Sequence, residues 1–121
     1  MGTIQSAMRI LIVEDDSVFR ERLARAIRDR GHAAITASNG AAARVLAQEE
    51  FDAAVVDVRL GTESGLDLLP DLRFVPRPPR IVIMAGHMSA ELEKQATAAG
   101  AAACLAKPFD VDDLLETMAR P

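Results

Sequence analysis

Residues 8–16, with the sequence MRILIVEDD, decide the fold class of this chain. The apolar run over 10–13 is short and rich in β-branched residues, and it stops abruptly at Glu14, Asp15 and Asp16. A run of that length and composition is typical of a strand buried on both faces. Such strands belong to parallel sheets with helices on both sides, so strands and helices should alternate along the rest of the chain.

The sequence after this strand alternates in that way. Helical spacing follows Asp16, with Phe19, Leu23 and Ile27 on one face. Further strands are predicted over 32–37, 53–56, 80–84 and 102–106, and helices are predicted between them and after the last. Pro70 lies inside the third predicted helix and should kink or shorten it. A helix between each pair of successive strands implies right-handed crossovers around one parallel sheet. The sequence therefore predicts a doubly wound α/β domain with five strands.

Length and composition fit a single globular domain. The chain has 121 residues, of which half are apolar and 26% are charged, and its formal net charge is −4. We expect a leader over 1–7 and one domain over 8–121. The net negative charge does not favour the basic surface that nucleic-acid binding requires. No apolar run approaches the roughly 18 residues of a spanning helix. Cys104 is the only cysteine, which excludes an intrachain disulfide. We therefore expect a cytoplasmic protein that itself binds neither nucleic acid nor membrane.

Chemically active side chains follow three of the five predicted strands. Glu14 and Asp15 follow the first strand, Asp57 the third and Lys107 the fifth. Ligands of open parallel sheets bind outside the carboxyl ends of the strands, where these side chains meet. Three carboxylates about 4 Å apart would repel by ~4 kcal/mol per pair at an effective dielectric constant of about 20.

Such a carboxylate cluster favours a hard divalent cation such as Mg²⁺. The amine of Lys107 suits an anion at the same edge, and the combination suggests phosphoryl chemistry. Asp57 would then be the nucleophile that forms an acyl phosphate. Asp16 would instead cap the first helix.

Three motifs together resemble the receiver domains of response regulators in bacterial two-component signalling: Glu14-Asp15 after an apolar strand, Asp57 with Gly65 eight residues later, and Lys107-Pro108-Phe109. The resemblance covers residues 8 to about 119. It implies the flavodoxin-like or CheY-like fold, with five parallel strands in the order 2-1-3-4-5 and five helices.

The resemblance also implies a role for each residue of these motifs. Asp57 would be the phosphoacceptor and would take its phosphoryl group from a sensor histidine kinase or a histidine phosphotransfer protein. Asp15, Asp57 and the Arg59 carbonyl would bind Mg²⁺ directly, while Glu14 would act largely through water. Lys107 would pair with the phosphoryl oxygens.

Three further positions bear on the comparison with the family. The bond from Lys107 to Pro108 would be cis, as is usual in receivers. Ala85 stands where receivers usually carry a Thr or Ser hydroxyl, and Cys104 stands where they usually carry the switch aromatic. The hydroxyl and the aromatic normally couple the phosphoryl group to the surface. We therefore expect an intact acceptor site with an atypical switch.

The first predicted helix offers a docking surface. If Phe19, Leu23 and Ile27 face the core, then Val18, Arg22 and Arg25 form an exposed stripe on the opposite side. Receivers dock their kinases along this helix, so the resemblance implies that the stripe binds the partner.

The residues leave other functions open. A degenerate receiver that only docks partners would be consistent with Ala85 and Cys104. A Mg²⁺-dependent aspartyl phosphatase usually carries a second Asp two residues after the nucleophile, where this chain has Arg59. A nucleotide- or flavin-binding domain would need glycines after the first strand, and there are none. We expect phosphorylation of Asp57 without turnover of an external substrate, and output through an unknown downstream protein or a C-terminal output domain.

Overall fold

The computed structural model describes residues 7–119, so the leader expected over 1–7 lies outside the described residues except for Ala7. Five main strands are present: β1 (Arg9–Val13), β2 (Ala33–Ala37), β3 (Ala53–Asp57), β4 (Arg80–Ala85) and β5 (Ala103–Ala106). Five α-helices alternate with them: α1 (Ser17–Asp29), α2 (Gly40–Leu46), α3 (Leu69–Arg73), α4 (Ala90–Ala99) and α5 (Val111–Ala119). Within residues 7–119, no helix is both long and apolar enough to cross a bilayer.

The five strands form one parallel sheet in the order β2-β1-β3-β4-β5, which confirms the predicted topology. The register aligns the strand ends that carry the acidic and basic side chains. Val13 pairs with Val56, so Glu14, just after β1, and Asp57, the last residue of β3, lie side by side at the same end of the sheet. Ala85 pairs with Ala106, which places Lys107 just beyond the end of β5. The sheet therefore brings the three predicted strand ends together at one edge.

Each face of the sheet has its own hydrophobic core. The alternate residues of β1 divide between them, because successive side chains of a strand point to opposite faces. Ile10 and Ile12 pack with the buried residues of α1 and α5, whereas Leu11 and Val13 pack on the side of α2, α3 and α4. Leu23 and Ile27 are buried and Phe19 packs against the same core, so α1 presents the predicted face to the sheet.

A side-chain cap begins α1, as predicted for Asp16, and a side-chain cap and a glycine define the two ends of α4. The Asp16 carboxylate caps α1 and accepts hydrogen bonds from the amides of Val18 and Phe19, at 3.0 and 3.2 Å. Ser89 caps α4, and Gly100 ends it with a φ of 109°, a left-handed conformation that favours glycine.

The segment between β3 and β4 is less regular than the other connections. Arg59–Leu60 and Glu63–Ser64 form a small antiparallel hairpin that the sequence pattern did not predict. A 3₁₀ turn, Gly65–Leu68, then leads into the five-residue helix α3. The sequence pattern placed Pro70 inside this helix, but Pro70 lies in the first turn of α3, where its missing N–H leaves no hydrogen bond unmade. The proline therefore starts the helix and does not shorten it.

Candidate functional site

Three side chains from three strand ends meet at the carboxyl edge of the sheet. The Lys107 Nζ donates hydrogen bonds to Oε1 of Glu14 and to Oδ2 of Asp57. Both acids are buried, with Glu14 1% and Asp57 5% exposed. Burying two carboxylates together is costly unless a cation compensates them, and the ammonium between them does so.

The backbone around Asp57 holds its carboxylate in place. Oδ1 accepts a hydrogen bond of 2.8 Å from the Arg59 amide, while Oδ2 contacts Lys107. The following loop returns against this strand end, where the Gly65 amide donates to the Val58 carbonyl at 2.8 Å. A Cβ atom at position 65 would lie 1.9 Å from the Asp57 carbonyl oxygen. A side chain would not fit there, which explains the glycine eight residues after Asp57.

Asp15 does not join the other two carboxylates at Lys107. Its side chain is exposed, and Oδ2 accepts a hydrogen bond of 3.0 Å from the Gly61 amide in the loop after β3. The three carboxylates were expected to converge. Instead, Glu14 and Asp57 accept hydrogen bonds from Lys107, and Asp15 accepts one from the loop after β3. This arrangement is consistent with the repulsion expected among three acids, because Asp15 has a donor of its own while Glu14 and Asp57 share the Lys107 ammonium.

The donor set suits a hard divalent cation, although the side chains are not gathered around one point. Within residues 7–119, no group of three His, Cys, Asp or Glu side chains is arranged to hold a metal ion. The acids that flank the edge nevertheless offer only oxygen atoms, which Mg²⁺ and Ca²⁺ prefer. The chemistry of Glu14, Asp15, Asp57 and the Arg59 carbonyl therefore fits such an ion.

Burial and neighbouring charges shift the pKa values of Glu14, Asp15 and Lys107 at this edge. Burial raises the pKa of Glu14 to about 7, with a contribution from nearby Asp57 and against the hydrogen bond from Lys107. Burial also opposes ionisation of Asp15, but hydrogen bonds with Glu14 and the Gly61 amide hold its pKa below the ordinary value. Desolvation works against the Lys107 charge, yet its bonds to Asp57 and Glu14 raise its pKa. Lys107 therefore remains an ammonium ion.

Three contacts on the α1 side of the site were not predicted from the sequence. The Lys107 Nζ lies 4.4 Å from the centre of the Phe19 ring, and the edge of Phe109 meets that ring at a centroid distance of 6.0 Å. Arg20 folds back over the β1–α1 loop and donates to the Glu14 carbonyl at 3.0 Å. Helical spacing assigned Phe19 to the core face but gave no signal for its position under Lys107. The Lys107–Pro108 peptide is cis, as the resemblance implied.

Of the two atypical switch positions, Ala85 lies beside the site and Cys104 lies within β5. Ala85 is buried and lines an open cavity of about 430 Å³ beside Asp57, together with residues that include His87 and Leu92. Cys104 is half-buried and lies opposite Ile83 in the sheet register. Burial raises the pKa of its thiol, and the charge of Glu93 adds to the effect. No hydroxyl side chain therefore occupies either position.

The predicted stripe on α1 is at the surface. Val18 is 58% exposed, and Arg22 and Arg25 are exposed as well. Val18 follows the Asp16 cap directly, so the stripe begins next to the acidic edge of the sheet.

Comparisons with known proteins identify relatives over nearly the whole domain. The family model described as the response regulator receiver domain matches residues 10–119. The alginate biosynthesis transcriptional regulatory protein AlgB of Pseudomonas putida is 36% identical over 107 residues, which are 88% of this chain and 24% of that protein. The acid tolerance regulatory protein ActR of Sinorhizobium medicae is 37% identical over 110 residues, 90% of this chain and 57% of that protein. The chain thus spans between a quarter and somewhat over half of these relatives.

Solved structures share the fold. A response regulator from Burkholderia pseudomallei, crystallised with a phosphorylated aspartic acid, a calcium ion and citrate, superposes with a TM-score of 0.85 at 37% identity. That match covers 91% of this chain and 65% of the other. The chemotaxis response regulator CheY4 of Vibrio cholerae has a TM-score of 0.83 at 27% identity, covering 93% of this chain and 96% of the other.

Proposed function

This chain belongs to the family of response regulator receiver domains, and on that basis we propose that it accepts a phosphoryl group on Asp57 in a two-component pathway. The donor is the phosphohistidine of a sensor kinase or of a histidine phosphotransfer protein. An oxygen of Asp57 forms a bond to phosphorus as the bond from phosphorus to the imidazole nitrogen breaks, and that nitrogen keeps the electron pair.

The observation that supports this most strongly is the ammonium of Lys107 between two buried carboxylates. A half-buried lysine beside a nucleophilic carboxylate offers a positive charge to the oxygens of an incoming phosphoryl group. The Arg59 amide fixes the other oxygen of Asp57 at 2.8 Å, so the nucleophile is held in one orientation. The chain's own contribution is therefore to orient Asp57 and to place a cation beside it.

A divalent cation would be held by Asp15, Asp57 and the Arg59 carbonyl, with Glu14 acting largely through water. When bound, it would neutralise charge on the carboxylates and on the phosphoryl oxygens. The relative from Burkholderia pseudomallei was crystallised with a calcium ion and a phosphorylated aspartic acid, which supports both the metal site and the phosphorylation of Asp57 proposed here. Asp15 is already exposed and ionised at neutral pH, which suits a direct ligand.

Turnover of an external substrate is not part of the proposal. A phosphatase that forms an aspartyl phosphate needs a second acid to move protons, and this chain has the exposed Arg59 two residues after Asp57. A guanidinium does not act as a general acid near neutral pH. The phosphoryl group therefore serves as a signal, which a downstream protein or an output domain would read.

The proposal is tested by intact-mass measurement after incubation with acetyl phosphate and Mg²⁺. The wild-type chain should gain the mass of one phosphoryl group, and Asp57→Asn should gain none. Asp67→Asn is a matched control, because Asp67 is exposed on the 3₁₀ turn of the same loop. Asp15→Ala should lose Mg²⁺ affinity and most of the labelling. Full labelling of Asp57→Asn, or undiminished Mg²⁺ affinity of Asp15→Ala, would contradict the assignment.

A second candidate function is that of a receiver that docks partners without being phosphorylated. Only the residues at the two switch positions, Ala85 and Cys104, favour it. The same experiment separates the two candidate functions. A folded wild-type chain that binds a histidine kinase but takes no phosphoryl group would support docking only.

A further inference from the structure

The ammonium of Lys107 has a third neighbour besides its two carboxylates. Its Nζ lies 4.4 Å from the centre of the Phe19 ring, within the range of a cation–π interaction. Phe109 meets the same ring edge-to-face, with a centroid distance of 6.0 Å and an interplanar angle of 76°. The two rings thus connect Lys107 and the loop after β5 with the first turn of α1.

We propose that Phe19 is a positioning residue for Lys107 and that the pair of Phe19 and Phe109 transmits the phosphorylation state of Asp57 to the first turn of α1. The inference rests on the function proposed above, since it describes how that site is regulated. In addition to docking a partner, α1 would then change its conformation in response to phosphorylation of Asp57.

The charge arrangement at Lys107 gives the reason. In the unphosphorylated protein the ammonium is hydrogen-bonded to Glu14 and Asp57 and lies over the negative face of the Phe19 ring. A phosphoryl group on Asp57 would place new negative oxygens farther from the strand end than the original carboxylate. Lys107 would then exchange hydrogen-bond partners, and its position over the ring would change with them.

Phe19 is well placed to pass such a change to the surface. It is half-buried against the core under α1, and its amide is held by the Asp16 cap at 3.2 Å. Its neighbour Val18 is 58% exposed and begins the docking stripe. A displacement of the Phe19 ring would therefore alter the start of α1 beside the surface where a partner would bind.

The distribution of aromatic residues supports this route. The chain has four phenylalanines and neither tyrosine nor tryptophan. Phe19 and Phe109 are in contact at the site, whereas Phe51 lies under the Arg9 guanidinium and Phe74 is 91% exposed. Neither Ala85 nor Cys104 offers the hydroxyl or ring through which receivers usually couple. The aromatic contact that this chain does provide leads to α1.

The test compares Phe19→Leu with Phe19→Tyr. Leucine keeps an apolar side chain but removes the ring face, whereas tyrosine retains it. With acetyl phosphate and Mg²⁺, Phe19→Leu should be labelled about threefold to tenfold more slowly than wild type. The phosphorylation-dependent amide shifts of residues 17–25 in NMR spectra should also shrink by about half or more. Phe19→Tyr should restore both properties to near the wild-type values.

Phe51→Leu is the matched control, because it removes a cation–π contact of 4.6 Å with Arg9, away from the site. It should change neither the labelling rate nor the α1 shifts. If Phe19→Leu behaves like wild type while Asp57 is labelled normally, the inference is wrong and the proposed function stands. If Phe19→Leu does not fold, site-specific fluorinated phenylalanine at position 19 replaces it. Rates should then fall with increasing fluorination, and a flat dependence would contradict the inference.

The contact can also be tested without phosphorylation. A ring below the ammonium should shift the Lys107 ε-methylene protons upfield in the wild-type chain, and Phe19→Leu should abolish that shift. Normal Lys107 shifts in the wild type would overturn the positioning role. A wild-type chain that takes no phosphoryl group would instead overturn the proposed function and, with it, the transmission to α1.

Discussion

At the scale of single residues, Glu14 should make the stability of the domain depend on pH. Its carboxyl is buried, and burial raises its pKa from 4.5 to about 7 despite the hydrogen bond from Lys107. The folded protein therefore keeps a proton that the unfolded chain loses between these two values. Because the folded state binds more protons in this window, the free energy of unfolding should fall as the pH rises through it.

Urea unfolding in EDTA at pH 5 and pH 7.5 measures this effect. The wild-type chain should lose about 1–3 kcal/mol of unfolding free energy between the two conditions, and Glu14→Gln should lose much less. The pKa of Asp15 is lowered, so its contribution changes at more acidic pH and leaves this window undisturbed. A rise in wild-type stability over the same interval, or an equal fall in Glu14→Gln, would contradict the buried state of Glu14.

Gly65 gives a second prediction at this scale. A Cβ atom there would lie 1.9 Å from the Asp57 carbonyl oxygen and 2.9 Å from its carbon, and both are backbone atoms that cannot simply rotate away. Gly65→Ala should therefore cost about 1–3 kcal/mol of unfolding free energy and slow the labelling of Asp57. Gly86→Ala, where nothing lies within 4 Å of the added atom, should cost far less. Equal stability of the two variants would show that the loop does not press against Asp57.

At the scale of elements, α1 carries both the Asp16 cap and the exposed stripe of Val18, Arg22 and Arg25. We propose that this stripe docks the phosphodonor protein, since an exposed apolar residue beside basic side chains suits a helical partner. Reversing the charge at Arg22 and Arg25 should slow transfer from the cognate kinase yet spare labelling by acetyl phosphate. Loss of both reactions together would indicate misfolding, and unchanged kinase transfer would place docking elsewhere.

At the scale of the whole molecule, the resemblance to receiver domains implied the strand order, which the sheet confirms. Strand alternation and strand-end chemistry predicted the five-stranded parallel sheet and the meeting of Glu14, Asp57 and Lys107. Both depend on local pattern and on the geometry of parallel sheets, which a sequence shows directly. The turn of Asp15 toward the Gly61 amide and the position of Phe19 under Lys107 were not predicted. They depend on how side chains from distant segments share space and charge, which periodicity does not describe. The small hairpin after Asp57 was missed because two-residue strands leave no alternating pattern.

The two departures from the family pattern, Ala85 and Cys104, also concern the whole molecule, because we propose that they weaken the coupling between the site and the face formed by α4, β5 and α5. A hydrogen bond to a charged oxygen is worth about 1.5–3 kcal/mol, and Ala85 cannot make it. Phosphorylation-dependent NMR shifts on that face should therefore be small. Ala85→Thr should enlarge them, more so when combined with Cys104→Tyr. Large wild-type shifts there, unchanged by both substitutions, would reveal coupling through other residues.

The position of the phosphoryl group tests the central proposal most directly. Borohydride reduces an aspartyl phosphate to homoserine, and peptide mass spectrometry then locates the reduced residue. After treatment with acetyl phosphate and Mg²⁺, homoserine should be found at position 57 and should be absent when EDTA is added. Homoserine at position 15 or 16, or labelling that persists without the metal, would contradict the assignment of Asp57 as a metal-dependent phosphoacceptor.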